Sequence, residues 1–148
     1  YIDVLKMNLE EAHASWFKKE YETSDYTDTS HLDRVELLKF ATHCLNHGVR
    51  CVYITADSTG CLVYYKEKDK VIETMVPAVK VKEVIDTTGC GDSFAGGVGY
   101  GLLEDPTNYI KAAQYGNTLG ALRTQGKTFN VFKPLAEVKD IMRNTYEV

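Results

Sequence analysis

The run Val84-Ile85-Asp86-Thr87-Thr88-Gly89-Cys90-Gly91-Asp92-Ser93-Phe94-Ala95-Gly96-Gly97 constrains this chain more than any other. A strand-like apolar lead through Val79, Val81, Val84 and Ile85 enters a Gly-x-Gly turn, and the small residues beyond it read as a helix. Backbone N–H groups at a helix start point into such a turn, and the helix dipole adds positive potential, so the turn suits an anion. Glycine lets the backbone close around that anion without a Cβ in the way. Asp92 is out of place in a plain anion site, because its carboxylate repels the anion. A base that takes a proton from a hydroxyl while a phosphoryl group arrives belongs at that position.

The rest of the chain supplies an α/β frame for the turn. Tyr1 to Met7 reads as a buried-type strand, and Glu10 to Glu20 as a helix with Ala12, Trp16 and Phe17 on one side. Thr23 to Ser30 is a polar loop, after which Ser30 or Asp33 caps a helix with Leu32, Val35, Leu38, Ala41 and Leu45 at helical spacing. Gly48 ends that helix, and Val49 to Thr55 is a strand, so the β–α–β order implies a parallel sheet. Leu62–Lys66 and Val71–Met75 flank Lys68-Asp69 as an antiparallel hairpin. Gly96, Gly97, Gly99 and Gly101 weaken the helix after Asp92 by up to about 1 kcal/mol each. Close packing against Ala113, Gly116 and Gly120 of the next helix explains them. A last helix covers Pro134 to Asn144. The expected architecture is a three-layer α/β/α sandwich with a mainly parallel sheet.

Composition narrows the function. With 148 residues, 44% of them hydrophobic, the chain can bury a real core. A formal charge of −4 gives no basic footprint for nucleic acid. No apolar run reaches the length of a membrane span, and no signal-peptide pattern is present. Cys44, Cys51, Cys61 and Cys90 contain no Cys-x-x-Cys pair, which points to reduced thiols in a cytoplasmic protein.

Asp86-Thr87-x-Gly89-x-Gly91-Asp92 followed by small residues resembles the C-terminal signature of the ribokinase-like (phosphofructokinase B, PfkB) carbohydrate and nucleoside kinases. The resemblance implies that Gly89, Cys90 and Gly91 form an anion hole for the transferred phosphate. It also implies that Asp92 is the catalytic base that activates the acceptor hydroxyl. It runs from Tyr1 to near the C-terminus but covers only the second half of a full-length kinase. Residues 1–148 are therefore expected to be the C-terminal part of such a domain, truncated at the N-terminus, without the N-terminal half and lid.

The same resemblance gives roles to other residues. Asn8-Leu9-Glu10-Glu11 is similar to the family's Asn-x-x-Glu element, so Asn8 and Glu11 would hold Mg²⁺ through water. The segment also suits a helix cap with acids in its first turn. Thr55-Ala56-Asp57-Ser58-Thr59-Gly60 resembles the nucleotide loop Thr-x-Gly-x-x-Gly, with Thr55 and Gly60 matching and Asp57 in place of the first glycine. Asp57 is expected to point outward. Asp86 and the Thr88 carbonyl lie where many relatives bind K⁺, although a capping aspartate without an ion fits equally well. Asn117 would meet the nucleotide base or ribose, and Gly126 would head the loop over the nucleotide, with Phe129 or Val131 lining it.

Two lookalikes are rejected. Gly120 to Thr128 resembles a Walker A loop but has five residues between its glycines and leaves a helix instead of following a strand. Ser93 lacks a histidine partner in any recognisable triad motif, since all four histidines lie between His13 and His47. His43 and His47 could share a helix face as a metal pair, but they read better as two solvated surface histidines.

The expected function is ATP-dependent phosphoryl transfer to a hydroxymethyl group of a sugar or related small molecule. The alternatives are a nucleoside kinase of the same family or, for the fragment alone, an inactive nucleotide-binding domain. The expected partners are ATP, Mg²⁺, K⁺ and a small-molecule acceptor, with no nucleic acid and no membrane. An unpaired sheet edge would also favour a homo-oligomer.

Overall fold

Thirteen apolar or aromatic side chains in the strand segments Val4–Asn8, Cys51–Ala56 and Gly60–Glu67 organise the first part of the molecule into a sheet. The computed structural model describes residues 2–17 and 34–147. These form two compact units, residues 1–75 and 76–148. The loop expected over Thr23–Ser30, the caps Ser30 and Asp33, and Leu32 lie outside the described residues.

The first unit runs β1 (Val4–Asn8), α1 (Leu9–Ala12), α2 (Arg34–Asn46), β2 (Cys51–Ala56), β3 (Gly60–Glu67) and β4 (Lys70–Pro77), whose last two residues belong to the second unit. Strand order is β1-β2-β3-β4. β1 pairs parallel with β2, from Val4 opposite Cys51 to Asn8 opposite Thr55. β2 pairs antiparallel with β3, from Cys51 opposite Tyr65 to Ala56 opposite Gly60. Lys68 and Asp69, at φ 46° and 67°, make the two-residue turn into β4 that twisted antiparallel strands favour. The described sheet is thus mixed and not mainly parallel. Only the β1–β2 step contains a helical crossover, and the short connections after β2 force antiparallel neighbours.

The expected first helix is interrupted. α1 has four residues and passes into a π-type turn over His13–Phe17. Trp16 remains 37% exposed, with its ring 5.6 Å from Phe40 and 5.0 Å from His43. α2 buries a different face from the one expected. Leu37, Phe40, Ala41 and Leu45 enter the core, whereas Val35 and Leu38 are exposed. Two apolar stripes compete on this helix, and the one carrying Phe40 fills more volume against Val52, Ile54, Leu62 and Tyr64. Gly48, at φ 102°, follows the helix as expected.

The second unit contains α3 (Cys90–Glu104), α4 (Tyr109–Arg123) and α5 (Leu135–Tyr146). The apolar lead Val79–Ile85 forms no strand. The Ile85 and Asp86 N–H groups donate to the Thr124 carbonyl at 2.8 and 3.3 Å, and Val81, Val84 and Ile85 stay exposed. Without a sheet neighbour among the described residues, β propensity has nothing to pair with. α3 and α4 do pack through small residues. A Cβ on Gly97 would lie 2.6 Å from the Tyr115 carbonyl oxygen, and one on Gly101 would lie 2.6 Å from the Ala112 Cα. Gly96 and Gly99 face open space, so the close approach uses two of the four glycines. The Glu104 carboxylate ties the far ends of the helices together, accepting from Tyr100, Tyr115, Lys111 and Lys139. These bonds, Lys139 foremost, pull its pKa down to about 2.

Candidate active site

Gly89 is the N-cap of α3 with φ 79°, a left-handed conformation that glycine adopts without strain. The first rung of the helical ladder is the Ser93 N–H donating to the Gly89 carbonyl at 2.9 Å. The Cys90 N–H donates to the Thr87 carbonyl at 3.1 Å, within the turn. The ladder therefore leaves the Gly91 and Asp92 amides at the positive end of the helix. Asp92 itself lies in the first turn of α3 and is exposed. The turn thus pairs helix-end donors with an accessible carboxylate. Ser93 Oγ donates to the Gly89 carbonyl at 2.8 Å, which makes it a brace of the turn and not a nucleophile.

Asp86 shapes the approach to this turn. Its Oδ1 accepts from the Thr88 N–H at 2.9 Å, and its Oδ2 sits 3.4 Å from Arg123 Nη2. Thr88, and more weakly Arg123, hold the carboxyl below its ordinary pKa. Sequence reasoning did not single out Arg123. It ends α4, is 3% exposed, donates from Nη1 to the Gly126 carbonyl at 2.7 Å, and lies over the Phe129 ring at 5.3 Å. Its only sequence signal is a cation in the last turn of a helix, which ordinarily means an exposed dipole partner.

Asn117 and Gly126 belong to the same unit. Asn117 Nδ2 donates to the Val76 and Pro77 carbonyls at 3.1 and 3.0 Å, so its amide nitrogen anchors the end of β4. Gly126 lies against Val131, whose Cγ1 would be 2.8 Å from a Cβ placed there. Phe129 is exposed and stacks with Phe132 at 6.4 Å.

The first unit holds the remaining positions. Asn8 and Thr55 are register partners at the carboxyl ends of the two parallel strands, the edge where open α/β sheets bind ligands. Asn8 Oδ1 accepts from the Glu11 N–H at 2.7 Å, and Glu11 Oε2 accepts from the Asn8 N–H at 2.8 Å. This reciprocal capping box uses one of Glu11's two carboxylate oxygens. Thr55 Oγ1 donates to the Met7 carbonyl at 3.4 Å. Between Thr55 and Gly60 the chain makes a short 3₁₀ turn in which Asp57 takes φ 43° and is exposed. Asp57 therefore adopts a conformation suited to the glycine it replaces, and aspartate is among the few side chains that tolerate it. Gly60, at φ 120°, returns the chain to β3.

Residues 1–133 match the sequence profile of the pfkB family carbohydrate kinases. The chain belongs to the pfkB family. This family member is 40% identical to an inositol 3-kinase of Arabidopsis thaliana over 75 residues, covering 51% of the chain and 20% of that enzyme. It is 38% identical to a 2-dehydro-3-deoxygluconokinase of Bacillus subtilis over 85 residues, covering 57% and 25%. The chain thus spans a fifth to a quarter of the length of these relatives. Among solved structures, a Burkholderia thailandensis nucleoside kinase in complex with ADP-inosine superposes with a TM-score of 0.73 at 22% identity, covering 99% of this chain and 39% of that one. That likeness shows the fold, which is ribokinase-like α/β.

The donor sets fit the implied ligands unequally. Among the described residues no group of three or more His, Cys, Asp or Glu could hold a metal ion. A mostly hydrated Mg²⁺ needs only one or two protein oxygens beside nucleotide phosphates, and Glu11 can offer one. A monovalent cation at Asp86 fits poorly, because both carboxylate oxygens are engaged and one faces a guanidinium. Two unit charges about 4 Å apart repel by about 4 kcal/mol at an effective dielectric of about 20. All four cysteines are free, and burial pushes the Cys51 thiol up to about 12 and raises Cys61 further, which suits inert reduced thiols. The His43 and His47 rings stack at 4.2 Å, and His47 Nδ1 lies 2.7 Å from the His43 carbonyl oxygen, so this pair contacts itself. No described helix is long and apolar enough to cross a membrane.

Proposed function

We propose that this chain carries the catalytic-base part of an ATP-dependent kinase that phosphorylates a hydroxymethyl group of a sugar or related small molecule. The single observation that carries the reading is the α3 start: a left-handed Gly89, the Gly91 and Asp92 amides outside the helical ladder, and the exposed Asp92 carboxylate in the first turn. Asp92 accepts the proton of the acceptor hydroxyl as its oxygen bonds to the γ-phosphorus. The bond from that phosphorus to the β-phosphate oxygen breaks, and ADP leaves. The Gly91 and Asp92 amides, with Gly89 and Cys90 shaping the turn, stabilise charge on the transferring group. Asn8 and Glu11 would hold Mg²⁺ through water, and the ion would neutralise phosphate charge. Thr55 and Gly60 would shape the nucleotide loop, while Asn117 and Gly126 would support the segments beside the nucleotide.

The acceptor class is tested by a coupled assay of the complete enzyme over inositol, 2-dehydro-3-deoxygluconate and inosine, compounds named by the relatives. Preference for inosine would move the reading to a nucleoside kinase. Asp92→Asn in the complete enzyme should lower turnover by about 10²–10⁴-fold while ATP affinity stays within about twofold. Turnover at the wild-type rate would overturn the assignment. A second reading holds for the 148 residues alone and is favoured by the small share of the relatives that they span. In it they bind ATP·Mg weakly and transfer nothing, because catalysis requires a positioned acceptor. Calorimetry beside the same coupled assay tests it.

A further inference from the structure

Arg123 is a buried cation set between two segments that flank the phosphate turn. Its Nη2 faces Asp86 Oδ2 at 3.4 Å, on the chain leading into Gly89. Its Nη1 donates at 2.7 Å to the carbonyl of Gly126, on the segment that follows α4. The guanidinium plane is covered by Phe129, 5.3 Å from the ring centroid. Its Nε has no hydrogen-bond partner and lies 3.6 Å from where a Cβ on Gly89 would be. At 3% exposure this charge is out of water, a costly arrangement unless the group it faces also needs a permanent positive charge.

Asp86 has that need. It lies six residues before Asp92, and its carboxylate sits beside a turn built to receive an anion. A neighbouring cation offsets that carboxylate and holds the turn in shape. A metal ion supplies the charge only when bound, whereas a guanidinium supplies it always, because arginine stays protonated and its planar fork spans two acceptors at once.

We propose that Arg123 is the built-in cation of the phosphate turn. Its guanidinium takes the place beside Asp86 that a monovalent metal ion would take, and it holds the Asp86–Asp92 segment in its anion-binding shape without K⁺. Arg123 is thus a positioning residue, acting through Asp86 and Gly126. The proposal rests on reading the Gly89–Asp92 turn as the phosphate site.

The test is cation selectivity. Thermal unfolding of the chain and of Arg123→Met is followed in KCl, NaCl and choline chloride at equal ionic strength, with ATP·Mg affinity measured in each salt by calorimetry. The wild type should unfold at the same midpoint in all three salts, and any ATP affinity should vary by less than about twofold. Arg123→Met should unfold earlier in choline chloride and recover part of the loss in KCl. A K⁺-selective rise in the wild-type midpoint would overturn the proposal. So would an Arg123→Met protein with the wild-type midpoint in every salt. If Arg123→Met does not fold, the wild-type salt series decides alone. Absence of ATP binding in every salt counts against the phosphate reading and leaves the midpoint comparison intact.

Discussion

The two units are held by different kinds of contact. In the first, large side chains fill the space between the sheet and α2: Leu37, Phe40, Val52, Ile54, Leu62 and Tyr64 are all buried. In the second, the main contact is the absence of side chains, with Gly97 and Gly101 letting α3 approach the backbone of α4. A core built on volume tolerates a slight change of shape but loses contacts when atoms are removed. A contact built on glycine has nothing to lose and fails when atoms are added. The Gly89–Asp92 turn opens the second kind of element, so the close approach to α4 also fixes the backbone that leaves this turn.

The largest effect is expected where volume does the work. Leu62→Ala should cost about 2–5 kcal/mol in urea unfolding, because the fully buried side chain leaves a cavity. A cost below about 1 kcal/mol would show that the first unit's core closes over gaps, and the contrast would dissolve. Next comes the paired test on α3. Gly97→Ala should cost about 1–3 kcal/mol through overpacking against the Tyr115 carbonyl. Gly96→Ala, one residue away and facing open space, should stabilise by about 0.4–1 kcal/mol. Equal effects at the two positions would break the claim that one face of α3 is built on glycine.

The smallest effect concerns the polar tie at the far end of the helix pair. Glu104 has its folded-state pKa lowered from the ordinary 4.5 to about 2. A depressed carboxyl contributes stability above its unfolded pKa, and this is lost as pH falls through the folded value. The contribution should therefore be complete above about pH 5 and fade between about pH 4.5 and 2. Unfolding midpoints of wild type and Glu104→Gln, compared across that window, should converge as the pH falls. A constant difference would show that Glu104 acts through packing and not through charge.

Much of the fold was legible because its signals are local. The helix carrying Ala113, Gly116 and Gly120, the turn at Lys68-Asp69 and a helix beside the Gly-x-Gly turn each depend on residues a few positions apart, although that last helix begins at Cys90 and not after Asp92. The misreadings share a cause. Val79–Ile85 carries β propensity, but a strand exists only where a neighbour pairs with it. On α2 two apolar stripes satisfy helical spacing, and only the packing partner selects the one with Phe40. At the candidate site, the Asn8–Glu11 capping box was legible because its bonds span three residues. Asp57 was legible as a departure from a glycine pattern, though not as a residue that keeps the glycine's backbone angle.

The sequence by itself determined the residue types at the α3 start: glycines that free the turn, N–H groups at a helix start, and a carboxylate next to them. Those properties follow from residue type and a spacing of a few positions, which backbone geometry converts directly into place. Only the tertiary structure decided what stands behind the turn. Arg123 lies 37 residues from Asp86, and nothing in either residue's neighbourhood announces the other. Their pairing exists because the α3–α4 approach through glycine brings the end of α4 back against the start of α3. An ordinary helix-end cation becomes, in three dimensions, the buried charge beside Asp86 and the Gly89–Asp92 turn.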